Sequence, residues 1–382
     1  MYLSRLLLRH FRNLGRQELS FPSEGVAIIG ENAQGKSNLL EAIYYLETFR
    51  SFRGGKDEQL VEFDADTFRV AATLEQADGD ERPVEVTAAF ARRGKRKKVA
   101  VDGVEPERMG DALGRMAAVV FSPADVALIN DGPGARRRFL DIMLALNVAG
   151  YLAALQQYRH ALAQRNASLK AEQPAAVVQV WNEPLIRSGA SVVRARQDWV
   201  AAWGPKFSRY YRDVSGGQSA SVTYRPGVPT GDVAGAETST PRESEEIEDR
   251  FREALDATAD RERRTGATAV GPHRDELRLT LDRSGGDIDI RDFGSGGQRR
   301  TAALALRLTE AATIRQARAQ EPLVLMDDVF AELDEGRSER VLDLIETEET
   351  GQVILTAPKD ADVRVRRDTL PRWRIASGRV HT

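Results

Sequence analysis

Cysteine is absent from the 382 residues, so disulfides and thiolate metal sites are excluded, and nothing points to an oxidising compartment. Long hydrophobic runs are missing too. The opening Met1-Tyr-Leu-Ser-Arg-Leu-Leu-Leu-Arg-His10 is too short an apolar run for a secretory leader, and no later stretch approaches the ~18 residues of a membrane span. The expectation is a cytoplasmic protein with no membrane partner. Excess charge of either sign is lacking as well. With 55 basic and 58 acidic residues the net charge is −3, so any nucleic-acid contact must rest on local patches rather than on the overall field. No stretch sustains a heptad seam over several turns, which excludes long coiled coils. The remainder, 41% hydrophobic beside 30% charged residues, describes a globular chain with core material for two lobes.

Against this background one stretch stands out. Val26-Ala-Ile-Ile-Gly30-Glu31-Asn32-Ala33-Gln34-Gly35-Lys36-Ser37 reads as a buried strand, a glycine-bounded loop and the opening of a helix, with Leu39, Leu40 and Ile43 at helical spacing. It matches G-x-x-x-x-G-K-[ST] at every fixed position, in the strand-loop-helix context that the motif requires. Gly30 and Gly35 allow a tight turn whose N–H groups surround phosphate oxygens, and the helix start adds its partial positive end. Lys36 then reaches the β and γ phosphates of ATP, and the Ser37 hydroxyl holds Mg²⁺. A second stretch, Leu323-Val-Leu-Met-Asp327-Asp328, is an apolar strand ending in two acids, and burying carboxylates is costly without a cation or hydrogen bonds. Asp327 is expected to hold Mg²⁺ through its water shell. Asp328, pointing to the other side of an extended chain, orients or deprotonates the attacking water. Packing alone would instead make the pair a cap for the helix after Asp334.

A third stretch, Ser295-Gly296-Gly297-Gln298, precedes a helix whose Leu304, Leu308, Ala311 and Ile314 form one stripe. A hydroxyl and two bare glycine N–H groups at a helix N-terminus suit an anion. The same tetrapeptide at 215 to 218 precedes a strand-like run and reads as coincidence.

The remaining chain is read more coarsely. Residues 3 to 21 give two strands, with Phe11-Arg-Asn13 as a strand end and turn or a nucleotide contact. Alternation at 68 to 75, 84 to 91 and 98 to 104 predicts antiparallel strands, the last two flanking Arg92, Arg93, Lys95, Arg96, Lys97 and Lys98 in a turn. Such a tip is either a solvated turn or a phosphate contact. Arg136, Arg137 and Arg138 open a helix beginning at Phe139, where cations oppose the dipole and call for a compensating anion. From about 139 to 213 the spacing is helical, a Pro/Gly/Ser/Thr-rich linker runs to about 246, and Glu243 to Arg264 is a charged helix. His273 reads as structural.

Taken together, the loop at 30 to 37, Ser295 to Gln298, the strand at 323 to 328 and Ala331-Glu-Leu-Asp334 resemble the ATPase heads of ABC and SMC-type proteins. With Phe11-Arg-Asn, Phe121-Ser-Pro-Ala-Asp125, Arg136-Arg-Arg-Phe-Leu-Asp141 and Gly271-Pro-His-Arg-Asp-Glu-Leu277, nearly the whole chain is similar to the RecF family of DNA replication and repair proteins. The resemblance implies an α/β, ABC-type ATPase head with a mixed sheet around the loop helix, built from 1–117 and 269–382, and an inserted helical lobe at 118–268. Ser295 to Gln298 would be the signature motif that meets ATP bound at Gly30 to Ser37 of a second copy, and Asp334 would lie in the D-loop. It further implies a homodimer closed by ATP, binding to double-stranded DNA and to single-strand/double-strand junctions, and action with RecO, RecR and RecA. Asp328 stands where most ABC transporters carry glutamate, which suggests slow hydrolysis. After Val353-Ile-Leu-Thr356 no switch histidine follows, leaving Thr356 as its stand-in, and no glutamine near 121 to 126 marks a Q-loop. The rival readings are a soluble ABC subunit serving another partner and an SMC-like structural head.

Overall fold

In the computed structural model, which describes residues 1–76, 82–229, 244–283, 285–348, 351–360, 363 and 370–382, the loop strand Gly25–Ile29 lies inside a six-stranded sheet. The linker stretch 230–243, including Glu243 at the expected start of the charged helix, falls outside the described residues. Across the sheet the order is Arg379–His381, Arg372–Ala376, Gly25–Ile29, Val353–Ala357, Leu323–Asp327 and Ala118–Phe121. The last five run parallel. Four of these are near-continuously apolar because both faces are buried, whereas Arg372–Ala376 alternates exposed and buried residues; the carboxyl ends converge where ligands of open α/β sheets bind. The helix Lys36–Thr48 starts at that end and is buried over most of its length, Glu41 and Glu47 included.

A second, five-stranded antiparallel sheet follows the order Arg16–Ser20, Tyr2–Arg9, Thr67–Glu75, Val84–Ala91 and Arg96–Val101. Its strands alternate, with Leu6, Leu8, Phe68, Val70, Val86 and Ala88 inward and, Leu7 apart, mostly polar or small residues outward. Phe11, Tyr45 and Phe68 meet edge-to-face, which locks the inner face to the loop helix. The turn expected to carry six cations is shorter than the sequence suggested. It closes at Lys95, and Arg96, Lys97 and Lys98 already belong to the next strand.

These two sheets form one compact unit, Met1–Asp125 with Leu306–Thr382; the other is Val126–Ala305. The lobe expected at 118–268 therefore shifts at both ends, for pairing reasons that local spacing does not report. Ala118–Phe121 is the edge strand beside Leu323–Asp327, while Glu276–Leu281 pairs with Ala220–Arg225 inside the second unit. That unit carries the helices Pro133–Asn147, Tyr151–Lys170, Asn182–Ser215 and Ser244–Thr265 with a three-stranded sheet. At its centre Arg196 is fully enclosed, bonded to Asp141, Asp275, the Pro272 carbonyl and the Tyr151 hydroxyl. Tyr224 donates to the same Asp275, and the Gly227 N–H adds a bond at 2.7 Å. His273 is structural as read, bound to the Tyr158 hydroxyl and the Thr268 carbonyl; burial pushes its imidazole down to about 4. Among the described residues no helix is long and apolar enough to cross a membrane.

Candidate functional site

The loop between Ile29 and Lys36 leaves its strand at Gly30 and enters its helix through Gly35. Gly30 is required by packing, since a Cβ there would sit 2.5 Å from the Ile375 carbonyl oxygen. Gly35 is required by conformation, at φ 113°. No side chain caps the helix it opens, so the first-turn N–H groups keep their capacity for an external acceptor. Glu31, Asn32 and Ala33 form the exposed lip. Gln34 is anchored from outside, its carbonyl accepting from the Gly378 N–H at 2.9 Å and its side chain from the Ser377 N–H at 2.6 Å.

Lys36 is 4% exposed. Its ammonium donates to the carbonyls of Gly30 at 2.7 Å and Glu31 at 3.2 Å and stands 3.6 Å from Asp328 Oδ2. Ser37 Oγ donates to Asp327 Oδ1 at 2.8 Å. Thr356, from the neighbouring strand, lies between the acids: Oγ1 is 3.2 Å from Asp327 Oδ1 and 3.3 Å from Asp328 Oδ1, and accepts the Asp328 N–H at 3.0 Å. Asp328 corrects the expectation of opposite sides. Its backbone is left-handed, at φ 48°, so the strand ends at Asp327 and both carboxylates reach Thr356, Asp327 beside Ser37 and Asp328 beside Lys36. Burial raises the Asp327 carboxyl above its ordinary value; the Ser37 bond opposes this and the charge of Asp328 adds to it.

Phe11-Arg-Asn13, open between a turn and a nucleotide contact in the sequence, lies beside the loop. Arg12 forms a two-pronged pair with Glu41, at 2.9 and 3.0 Å, so it serves the helix rather than a nucleotide. Asn13 accepts from Asn38 at 2.8 Å, and Asn38 in turn accepts from Arg53 at 2.9 Å. Arg53, which the sequence reading passed over, adds positive potential at Asp327. The only sequence signal was a cation soon after the loop helix.

In the second unit, Ser295 caps the helix Gly296–Arg318, accepting the Gln298 N–H at 3.3 Å while the Gln298 side chain accepts the Ser295 N–H at 2.8 Å. This is a capping box, with Ser295 and Gly296 exposed and Gly297 partly so. The tetrapeptide copy at 215 to 218 ends a helix through left-handed Gly216, so it has no N–H array to offer; yet the two copies meet, with Gln298 Nε2 3.4 Å from Gln218 Oε1. Asp334 itself caps the helix Glu335–Thr347, bonding the Arg337 N–H at 3.0 Å, a task the sequence had alternatively offered to Asp327 and Asp328.

The basic clusters divide. Arg92 donates to the carbonyls of Val61, Phe63 and Ala65, and Lys97 to the Phe49 carbonyl and Asp57. Lys95 pairs with Glu58 and Lys98 with Glu105 at the surface. Arg136 is buried, paired with Glu276 and donating to the carbonyls of Leu128, Ile129 and Asp131. Because the helix starts at Pro133 rather than Phe139, Arg136 points inward, and the anion its position called for is supplied by protein. Arg137 binds the Asp275 carbonyl at 2.7 Å. Arg93, Arg96 and Arg138 are exposed and have no ion pair among the described residues.

Residues 2–372 match the family profile described as the RecF/RecN/SMC N terminal domain. A "DNA replication and repair protein RecF" of Synechococcus sp. (strain JA-3-3Ab) is 39% identical over 353 residues, covering 91% of this chain and 89% of the relative. The chain belongs to the RecF family. The RecF of Salinibacter ruber (strain DSM 13855 / M31) is 36% identical over 366 residues, 94% of this chain and 85% of that one. Among solved structures, the recombination mediator RecF bound to ATP in the RecFOR pathway superposes with a TM-score of 0.87 at 30% identity, over 100% of this chain and 97% of the other. An Smc head bound to the C-winged helix domain of ScpA, at 18% identity and a TM-score of 0.55, shares the fold alone. The fold is therefore that of an ABC-type ATPase head, as the motif order implied, in a family of DNA replication and repair proteins.

Proposed function

We propose that this RecF-family chain is a DNA-binding ATPase in which ATP closes two copies around DNA and slow hydrolysis releases them. The observation that carries the reading is the cluster of Lys36, Ser37, Asp327, Asp328 and Thr356 beside an uncapped helix start. Lys36 exchanges the carbonyls of Gly30 and Glu31 for the β and γ phosphates, and Gly30 to Ser37 supply the N–H cradle. Ser37 and Asp327 are the fitting ligands for Mg²⁺. One hydroxyl and one carboxylate suit a cation that keeps most of its waters, and no group of three or more acids, histidines or cysteines stands ready for a tighter site among the described residues. Mg²⁺ there supplies charge neutralisation at the phosphate oxygens.

Asp328 is the group that orients or accepts a proton from water, held by Thr356 within reach of Lys36. An aspartate of left-handed backbone tied to a lysine has little freedom to advance, which supports weak turnover. Ser295 to Gln298 of a second copy completes the anion site with another helix N-terminus, and Asp334 lies in the D-loop across the dimer. DNA engaged this way, duplex or junction, is the platform on which RecO and RecR join and RecA is loaded; the RecF-ATP relative of the RecFOR pathway supports that reading. The test is sedimentation of the full chain with and without ATP and Mg²⁺, beside Ser295→Arg. Wild type that dimerises with ATP, and a variant that binds ATP but stays monomeric, are expected. An equally dimeric variant would remove the signature from the closure.

A further inference from the structure

The outward face of the five-stranded sheet carries a line of cations that no motif marks. Strand register sets Arg16 opposite Arg9, Arg9 opposite Arg69, Arg69 opposite Ala89 and Ala89 opposite Lys98. One row across all five strands therefore holds four cations, interrupted by a single alanine. At about 4.8 Å per strand the row is roughly 19 Å long. In the adjoining row Thr67, Ala91 and Arg96 stand opposite one another, which adds a fifth exposed cation.

Arg9, Arg16 and Arg69 are exposed and have no ion pair among the described residues. Lys98 pairs with Glu105, but both are about 60% exposed, so that bond yields easily to a competing anion. Of the acids elsewhere on the face, Glu18 pairs with Arg5, while Glu75 and Glu85 accept from the Tyr2 and Thr87 hydroxyls and keep their charge two or more rows away from the line. The neighbouring row holds Glu18, Leu7, Ala71, Thr87 and Ala100, so beside the cations one half-buried leucine stands among mostly small side chains.

Like charges directly opposite on neighbouring strands weaken a sheet. Two such contacts in succession, Arg16 with Arg9 and Arg9 with Arg69, do nothing for folding that glutamine or threonine would not do better. Their opposed charges are explained by an external polyanion. We propose that this row is a contact for the phosphate backbone of duplex DNA, laid across the strands. The proposal rests on the DNA-binding reading above and names the surface for it. Duplex DNA fits because it offers a charge every ~1.7 Å along its axis, continuous over the length of the row. A protein partner would look for an apolar or aromatic core, and this face offers a single half-buried leucine, Leu7, among alanine and threonine. Phosphate contacts from a flat row position the duplex without reading its bases, so binding here is indifferent to sequence.

The experiment uses the full chain with ATP and Mg²⁺ and a labelled 30-base-pair duplex, followed by anisotropy over a sodium chloride series. Arg9→Gln/Arg16→Gln/Arg69→Gln removes three contacts. The slope of log affinity against log salt should fall by about 2.7, and affinity at 0.1 M salt by between two and three orders of magnitude. The thermal midpoint should hold or rise, because like-charge opposition is relieved; a merely structural role would lower it. ATP affinity serves as the fold control. A slope change below about 1 in a normally folded triple variant overturns the row. If Arg93→Gln/Lys95→Gln then weakens binding instead, the DNA reading stands without it. Wild type that binds no duplex overturns both.

Discussion

Replacing Lys36 by methionine tests the loop most directly. The ammonium is almost wholly enclosed, donating at 2.7 Å to Gly30 and 3.2 Å to Glu31 with Asp328 at 3.6 Å. Methionine keeps a flexible stem of similar length and loses the charge. A hydrogen bond to a charged group contributes about 1.5–3 kcal/mol, so one lost ammonium–phosphate contact should weaken ATP roughly 10- to 150-fold. The fold should lose much less. The released carbonyls belong to Glu31, which is exposed, and Gly30, which is partly so, and water replaces the ammonium there. Titration calorimetry with ATP and Mg²⁺ measures the first effect and a melting curve the second. A variant that melts normally and binds ATP as wild type does would refute the assignment of Lys36 to the phosphates.

Asp328→Asn keeps the bond to Thr356 and removes a negative charge near Lys36; ATP affinity should change severalfold at most while phosphate release falls by about 10²–10⁴, and undiminished turnover would remove Asp328 from the chemistry. Arg196→Met strands Asp141 and Asp275 inside the second unit, a loss of about 3–5 kcal/mol and some 10 °C in the melting of that unit; a shift under ~2 °C would mean the acids find other partners. The depressed imidazole of His273 gives a pH dependence. Folded, it stays neutral down to about 4, whereas the unfolded chain takes up a proton below ~6.5. Its contribution is therefore complete above ~6.5 and declines by about 1.4 kcal/mol per pH unit as pH falls toward 4. Denaturant titrations at pH 7.5 and 5 should show this slope in wild type and a flatter one in His273→Gln; equal slopes would sink it.

The parts legible in the sequence were those whose cause is local. A loop that must turn tightly between a buried strand and a helix needs glycine, lysine and serine at set spacing, and residues 30 to 37 have them. The alternating strands and the helix start at Ser295 follow equally from periodicity and local residue preference, while the bond by which Gln298 closes that start on itself came with the structure. Asp327 and Asp328 were readable as a pair because two acids at the end of an apolar strand have few other uses.

The tertiary structure decided what depends on which strand lies beside which. Asp328 joins Asp327 on one side because the chain turns left-handed there and Thr356, on another strand, holds both. Arg136 is a structural cation because Glu276, far along the chain, pairs with it. The second unit extends past 268 because Glu276–Leu281 pairs with Ala220–Arg225, a register no window of local spacing contains. Arg9, Arg16, Arg69 and Lys98 are unremarkable singly, each one charge on an alternating strand. They become a row only when strand register aligns them, because a sheet gathers onto one line residues that the chain keeps up to 89 positions apart.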